Sequence, residues 1–143
     1  MTPVMFHTIG TIHTPYERRG DAPRQGGLEP DVRGTAELFP EYARGLRDLD
    51  GLSHVILIFH FDRAKEGALE ATPPGHTHSR GVFASRSPSR PNGIGLTVVR
   101  LLGVEGNRVL FGGPDMLDGT PLLDIKPFVP RFDSPVGARA PEL

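Results

Sequence analysis

The decapeptide Ser53-His54-Val55-Ile56-Leu57-Ile58-Phe59-His60-Phe61-Asp62 decides how the chain folds. Val55, Leu57, Phe59 and Phe61 fall on one side of an extended backbone, and that side is wholly apolar. The other side carries His54, Ile56, Ile58, His60 and Asp62, apolar in the middle and polar at both ends. Alternation with a period of two predicts a strand with one face in a core. Segments on either side read in the same way. Residues 4–13 form a strand bounded by Pro3 and Pro15, and residues 80–85 form a short one. Residues 96–104 and 108–111 flank Glu105-Gly106-Asn107, a hairpin signal, and residues 120–128 supply the last strand. Residues 40–49 are the helix candidate, with Pro40 suited to the first helical position and Tyr42, Leu46 and Leu49 at helical spacing. Pro88 and Pro91 keep residues 87–93 out of regular structure. The fold expected is all-β: a small closed or nearly closed β-barrel with one short helix, an open sandwich being the second choice. The barrel takes residues 1–130, and residues 131–143 form an extended tail.

Composition narrows the function. Among 143 residues are 18 Gly and 15 Pro, together about twice the usual share, which excludes a helical bundle. A hydrophobic share of 37% is too high for a disordered chain. The absence of Cys excludes thiolate catalysis, disulfides and Cys-zinc sites. Sixteen basic residues against 17 acidic ones give a net charge of −1, so bulk charge does not announce a nucleic-acid binder. No apolar run reaches membrane-spanning length and no signal-peptide pattern opens the chain, so a cytoplasmic location is expected. Neither a Gly-x-Gly-x-x-Gly after a strand, a Walker loop, nor a Gly-x-Ser-x-Gly elbow is present.

Two blocks remain that can carry chemistry. In Arg86-Ser87-Pro88-Ser89-Arg90-Pro91-Asn92-Gly93-Ile94-Gly95, two arginines sit four apart in a segment stiffened by two prolines. Holding two long cations side by side costs repulsion and side-chain entropy, which a fold tolerates where anions face them. A stiff backbone sets the guanidinium planes in advance, and Asn92 adds an amide able to donate and accept. The competing reading is a solvated loop with an ion pair to Asp118 or Asp124. In Asp115-Met116-Leu117-Asp118-Gly119-Thr120, Asp118-Gly119 is a turn dipeptide. Asp118 then either makes an Asx-turn or offers a carboxylate to a cationic centre or ribose hydroxyls. Asp124 and Lys126 lie on one side of a strand and can pair. His54, His60 and Asp62, with His76 and His78, are the residues from which a metal centre would have to be drawn, and no metal is expected.

Residues 81–87 (Gly-Val-Phe-Ala-Ser-Arg-Ser), then Arg90-Pro91-Asn92, Ile94-Gly95-Leu96, Leu117-Asp118-Gly119-Thr120-Pro121 and Asp124-Ile125-Lys126-Pro127 resemble the TsaA-like family. Ile9-Gly10, Thr14-Pro15-Tyr16, Pro23-Arg24-Gln25, Gly51-Leu52-Ser53-His54 and Glu66-Gly67 follow the same pattern in order, so the resemblance spans about residues 6–130. It implies an S-adenosyl-L-methionine (SAM)-dependent methyltransferase on a β-barrel. It further implies a homodimer with the cofactor near the subunit interface, and N6-methylation of threonylcarbamoyladenosine beside the anticodon of threonine tRNAs. Cofactor residues implied by the resemblance are Gln25, Gly26, Gly27, Leu28, Lys65, Glu66, Arg90, Met116, Leu117, Asp118 and Gly119. Chemistry and neighbourhood add Arg86 and Asn92 for positioning, and Asp118 as the candidate proton acceptor. Two alternatives accompany this reading: the same cofactor with a small-molecule acceptor, and a non-enzymatic RNA-binding barrel.

Overall fold

A computed structural model describes residues 2–141 of the chain. Its strands are β1 (Gly10–His13), β2 (Arg33–Leu38), β3 (His54–His60), β4 (Glu70–Ala71), β5 (Arg80–Gly81), β6 (Ile94–Glu105), β7 (Arg108–Gly112) and β8 (Thr120–Pro127). Six of them close a barrel in the order β1-β2-β7-β6-β3-β8, and β4 pairs with β5 in a separate ribbon. All neighbours in the barrel are antiparallel. The central decapeptide behaves as its alternation dictates: Val55, Leu57 and Phe59 are buried and point inward, between β6 and β8. With Ile12, Ala36, Leu38, Val99, Val109, Phe111, Met116 and Leu122 they form one continuous core.

The core is narrow, and two glycines make room for its two largest rings. A Cβ on Gly95 would lie 2.3 Å from Phe59 Cε2, and one on Gly34 would lie 2.6 Å from Phe111 Cζ. Gly95 faces Phe59 across the β3–β6 pair, and Gly34 faces Phe111 across β2–β7. Each aromatic therefore fills the side-chain space its neighbour lacks.

Several elements differ from expectation. β2 is a full barrel strand that the residue types conceal. Its inward positions are Gly34, Ala36 and Leu38, so the apolar alternation is present but mostly in small residues of low β-propensity. The strand expected over 4–13 keeps only its last four residues, while Val4, Met5 and Phe6 are exposed. The strand expected over 80–85 is the two-residue β5 followed by a 3-10 turn, Val82–Ala84, and lies outside the barrel. The helix expected over 40–49 is two 3-10 turns, Pro40–Leu46 and Leu49–Gly51, separated by Asp48 at φ 70°. Only Leu46 of the first is buried, too little packing to stabilise a longer α-helix. The single α-helix among the described residues, α1, is Pro130–Asp133. No helix among them is long and apolar enough to cross a membrane.

Candidate functional site

The site begins at an interruption in the barrel. Residues 94–99 of β6 pair with β3 alone, and pairing with β7 starts only at Arg100. Loop residue Gly26 lies along this one-sided stretch. A Cβ there would fall 2.2 Å from Thr97 Cγ2 and 3.2 Å from the carbonyl oxygens of Val98 and Gly113. Gly27 adopts φ +85° and donates its N–H to Gly113 O at 3.0 Å. Gly26 has no room for a side chain, and Gly27 takes a backbone shape that favours glycine, so the pair seats the loop flush on the barrel.

Beneath this loop is Asp115. The Thr97 hydroxyl lies 2.8 and 2.7 Å from its two carboxylate oxygens, and the Gly26 N–H donates to it as well. Burial pushes its carboxyl up to about 6, in spite of those donors and the nearby Arg86 guanidinium. Asp115 makes no ion pair among the described residues. Arg86 instead donates from Nη1 to Gln25 Oε1 at 2.7 Å. Gln25, Gly26, Arg86 and Asp115, distant in the chain, thus converge.

The rest of the arginine segment is built on itself. Arg90 Nη1 donates to the carbonyls of Ser85 (3.0 Å) and Ser87 (3.1 Å), which fixes the guanidinium by one nitrogen. Its Nε and Nη2 have no protein partner among the described residues. The Arg90 carbonyl accepts from Gly67 N at 3.0 Å, and the Ser89 hydroxyl donates to the Lys65 carbonyl. These bonds tether residues 65–67 to the arginine segment and leave the Lys65 and Glu66 side chains exposed. Asn92 is exposed, with its carbonyl accepting from Ile94 N at 2.7 Å. Leu28 is exposed at 60% beside Gly27, and Ile94 and Leu96 are about half exposed on β6.

The turn at 116–119 faces a different neighbour. Met116 is buried in the core and its carbonyl accepts the Thr14 hydroxyl at 2.9 Å. The Leu117 carbonyl accepts the Thr120 hydroxyl at 2.7 Å. Asp118 Oδ1 accepts the Thr14 N–H at 3.0 Å and lies 3.6 Å from His13 Nδ1, while Asp118 N donates to Tyr16 O at 2.7 Å. Gly119 takes φ +85° and donates to Ile12 O. Asp118 therefore binds the end of β1 through one carboxylate oxygen, and Oδ2 has no protein partner among the described residues. It pairs with neither arginine. Asp124 is taken by Lys126 at 2.9 Å, as the strand spacing allows.

His54 Nδ1 lies 2.8 Å from the Ser53 hydroxyl, and no group of three His, Asp or Glu among the described residues is placed to hold a metal. Residue types alone pass over Thr97 and leave Asp115 without a role. A signal for both exists: Thr97 is a hydroxyl at an inward position between Gly95 and Val99, and such a group needs a buried partner.

Three comparisons bear on what this arrangement is. Residues 11–134 match the family model for the tRNA-methyltransferase O N-terminal domain. A probable S-adenosyl-L-methionine-binding protein of Pyrococcus abyssi is 49% identical over 91% of this chain and 71% of its own length. The tRNA (adenine(37)-N6)-methyltransferase of Escherichia coli is 38% identical over 94% of this chain, which spans 61% of that enzyme. The crystal structure of TrmO from Pseudomonas aeruginosa is similar with a TM-score of 0.82 at 41% identity, covering 97% of this chain and 62% of that one. By its closed six-stranded barrel, its ordered motifs and these matches, the chain belongs to the TsaA-like family, as a tRNA-methyltransferase O N-terminal domain.

Proposed function

We propose that the protein is a SAM-dependent methyltransferase that methylates N6 of threonylcarbamoyladenosine next to the anticodon of threonine tRNAs. One observation carries the reading: Gln25, Gly26, Arg86 and Asp115 converge on the one-sided stretch of β6. The residues there fit SAM, which combines a cation, an α-carboxylate and a flat adenosine. Gly27 leaves the loop surface open, the Arg90 guanidinium can meet a carboxylate, and a buried carboxylate can meet a cation. When bound, SAM supplies an activated methyl group on sulfur.

The protein's part is placement and exclusion of water. We assign Gln25, Gly26, Gly27 and Leu28 to one wall, Lys65, Glu66 and Arg90 to a second, and Leu117, Asp118 and Gly119, in the turn that the core residue Met116 anchors on the β1 side, to a third. Arg90, held through Nη1, presents Nε and Nη2 as a fork for a carboxylate. Arg86 and Asn92 orient the acceptor. N6 conjugated to a carbamoyl group is a weak nucleophile, so loss of its proton helps, and Asp118 Oδ2 is the acceptor we assign. We further propose a cytoplasmic homodimer. The exposed Leu28, Ile94 and Leu96 beside the site are surfaces that a second copy would cover.

Nucleoside mass spectrometry of tRNA from a deletion strain tests the assignment: the N6-methyl derivative of threonylcarbamoyladenosine should vanish and return on complementation. Arg90→Ala and Asp118→Ala should fail to restore it while folding normally, and full restoration by either would remove that residue's role. Two other readings separate by binding. tRNA engaged through several phosphates should bind with an affinity that falls steeply with salt, whereas a small-molecule acceptor should respond little. A non-enzymatic RNA-binding barrel should bind RNA and show no thermal shift with SAM.

A further inference from the structure

Asp115 is ionisable, mostly buried and unpaired, and its hydrogen bonds do not require it to be charged. Its partners are the Thr97 hydroxyl, the Gly26 N–H and its own N–H, all neutral donors that do not call for a charged acceptor. The nearest cation, Arg86, is turned to Gln25 and forms no ion pair with it. Besides a second acceptor oxygen, what aspartate offers here over asparagine is negative charge, set under the Gly26 loop and near Arg86. The protein by itself leaves that charge under-compensated, as its raised pKa records. Such a position suits a cationic ligand whose own charge completes the site.

We infer that the Asp115 carboxylate is the counter-charge for the cationic sulfonium of the methyl donor, with Arg90 taking the donor's carboxylate. The inference rests on the methyltransferase reading and adds to it a residue for discriminating donor from spent product. Transfer of the methyl group converts the sulfonium to a neutral thioether, so the product S-adenosylhomocysteine (SAH) keeps the ammonium and carboxylate but loses the charge that Asp115 faces. Asp115 then favours SAM over SAH and eases product release.

Isothermal titration of the full chain with SAM and with SAH at pH 7.5 tests this, comparing wild type with Asp115→Asn. SAM affinity should fall at least about tenfold and SAH affinity no more than about threefold. An equal loss for both ligands would mean that Asp115 only holds the Gly26 loop, and would overturn the inference, as would no loss. If the variant does not fold, the pH dependence of the wild type separates the same outcomes. With the carboxyl titrating at about 6, only about a tenth of it is ionised at pH 5. SAM affinity should then drop roughly tenfold between pH 7.5 and 5 while SAH affinity stays level. The groups facing Asp115 are the Thr97 hydroxyl from β6, the N–H groups of Gly26 and of Asp115 itself, and the Arg86 guanidinium from the arginine segment. Parallel pH curves for the two ligands would refute the inference. Failure of wild type to bind either ligand would sink the methyltransferase reading itself, a result distinct from equal losses in the variant.

Discussion

Replacing Asp115 by Asn should stabilise the protein at neutral pH and lose that advantage in acid. Folding lifts the carboxyl from 3.8 to about 6, so the folded chain holds the proton more tightly than the unfolded one. The contribution of this raised group to stability is complete below pH 3.8 and is lost as pH climbs through 6. A rise of that size corresponds to about 3 kcal/mol in full, and integrating from pH 4.5 to 7.5 leaves about 2 kcal/mol. Asn loses one acceptor atom for the Thr97 or Gly26 donor, a cost of about 1 kcal/mol. That cost does not depend on pH and cancels in a difference of differences. Urea denaturation followed by far-UV circular dichroism, on both proteins at pH 4.5 and 7.5, reads the quantity directly. The stability difference, variant minus wild type, should rise by about 2 kcal/mol on going to pH 7.5, or about 4–8 °C in Tm for a domain of this size. A difference constant to within about 0.5 kcal/mol would show that Asp115 is not strained by its burial, and the argument for a missing cation would fall with it.

Gly26→Ala places a Cβ 2.2 Å from the Thr97 methyl and should lift the loop off β6. SAM affinity by calorimetry should drop at least about tenfold while stability changes by less than about 1 kcal/mol, since the loop lies outside the core. Gly95→Ala does the reverse: its Cβ meets the Phe59 ring inside the barrel, and the urea midpoint should fall by an amount equivalent to about 1–3 kcal/mol. Thr97→Val removes a donor that lowers the Asp115 pKa. The midpoint of the SAM-affinity pH profile should therefore move to higher pH, and an unmoved midpoint would discount the Thr97–Asp115 contact.

The barrel was legible wherever its inward positions are large. β3, β6, β7 and β8 announce themselves through Val55, Leu57, Phe59, Val99, Val109, Phe111 and Leu122, all buried as the alternation demands. β2 was not, because a strand that must pass beneath the Phe111 ring carries Gly34 and Ala36 where a strand signal wants bulk. Partner and cavity are set together, and a reading of one segment at a time sees only the cavity side. The exposed Val4, Met5 and Phe6 misled in the opposite sense, offering apolar residues to a strand that stops short of them. At the site, the arginine segment and the 116–119 turn could be picked out by residue type. Their connections could not, since the Gln25–Arg86 bond joins residues 61 apart.

The two aspartates in Asp115-Met116-Leu117-Asp118 show why spacing alone could not divide the work between them. They are the same residue type three positions apart, yet the chain turns between them around Met116, which is buried in the core. Asp115 is left on the β6 side, under the glycine loop and largely cut off from water. Asp118 is left on the β1 side, held by the Thr14 N–H and near His13, with an oxygen still open. Burial makes ionisation costly for the first, and a cation relieves that cost. The second keeps a free acceptor, which suits it to receive a proton. Two carboxylates of one type thus meet opposite environments, and the difference is set by the buried methionine between them.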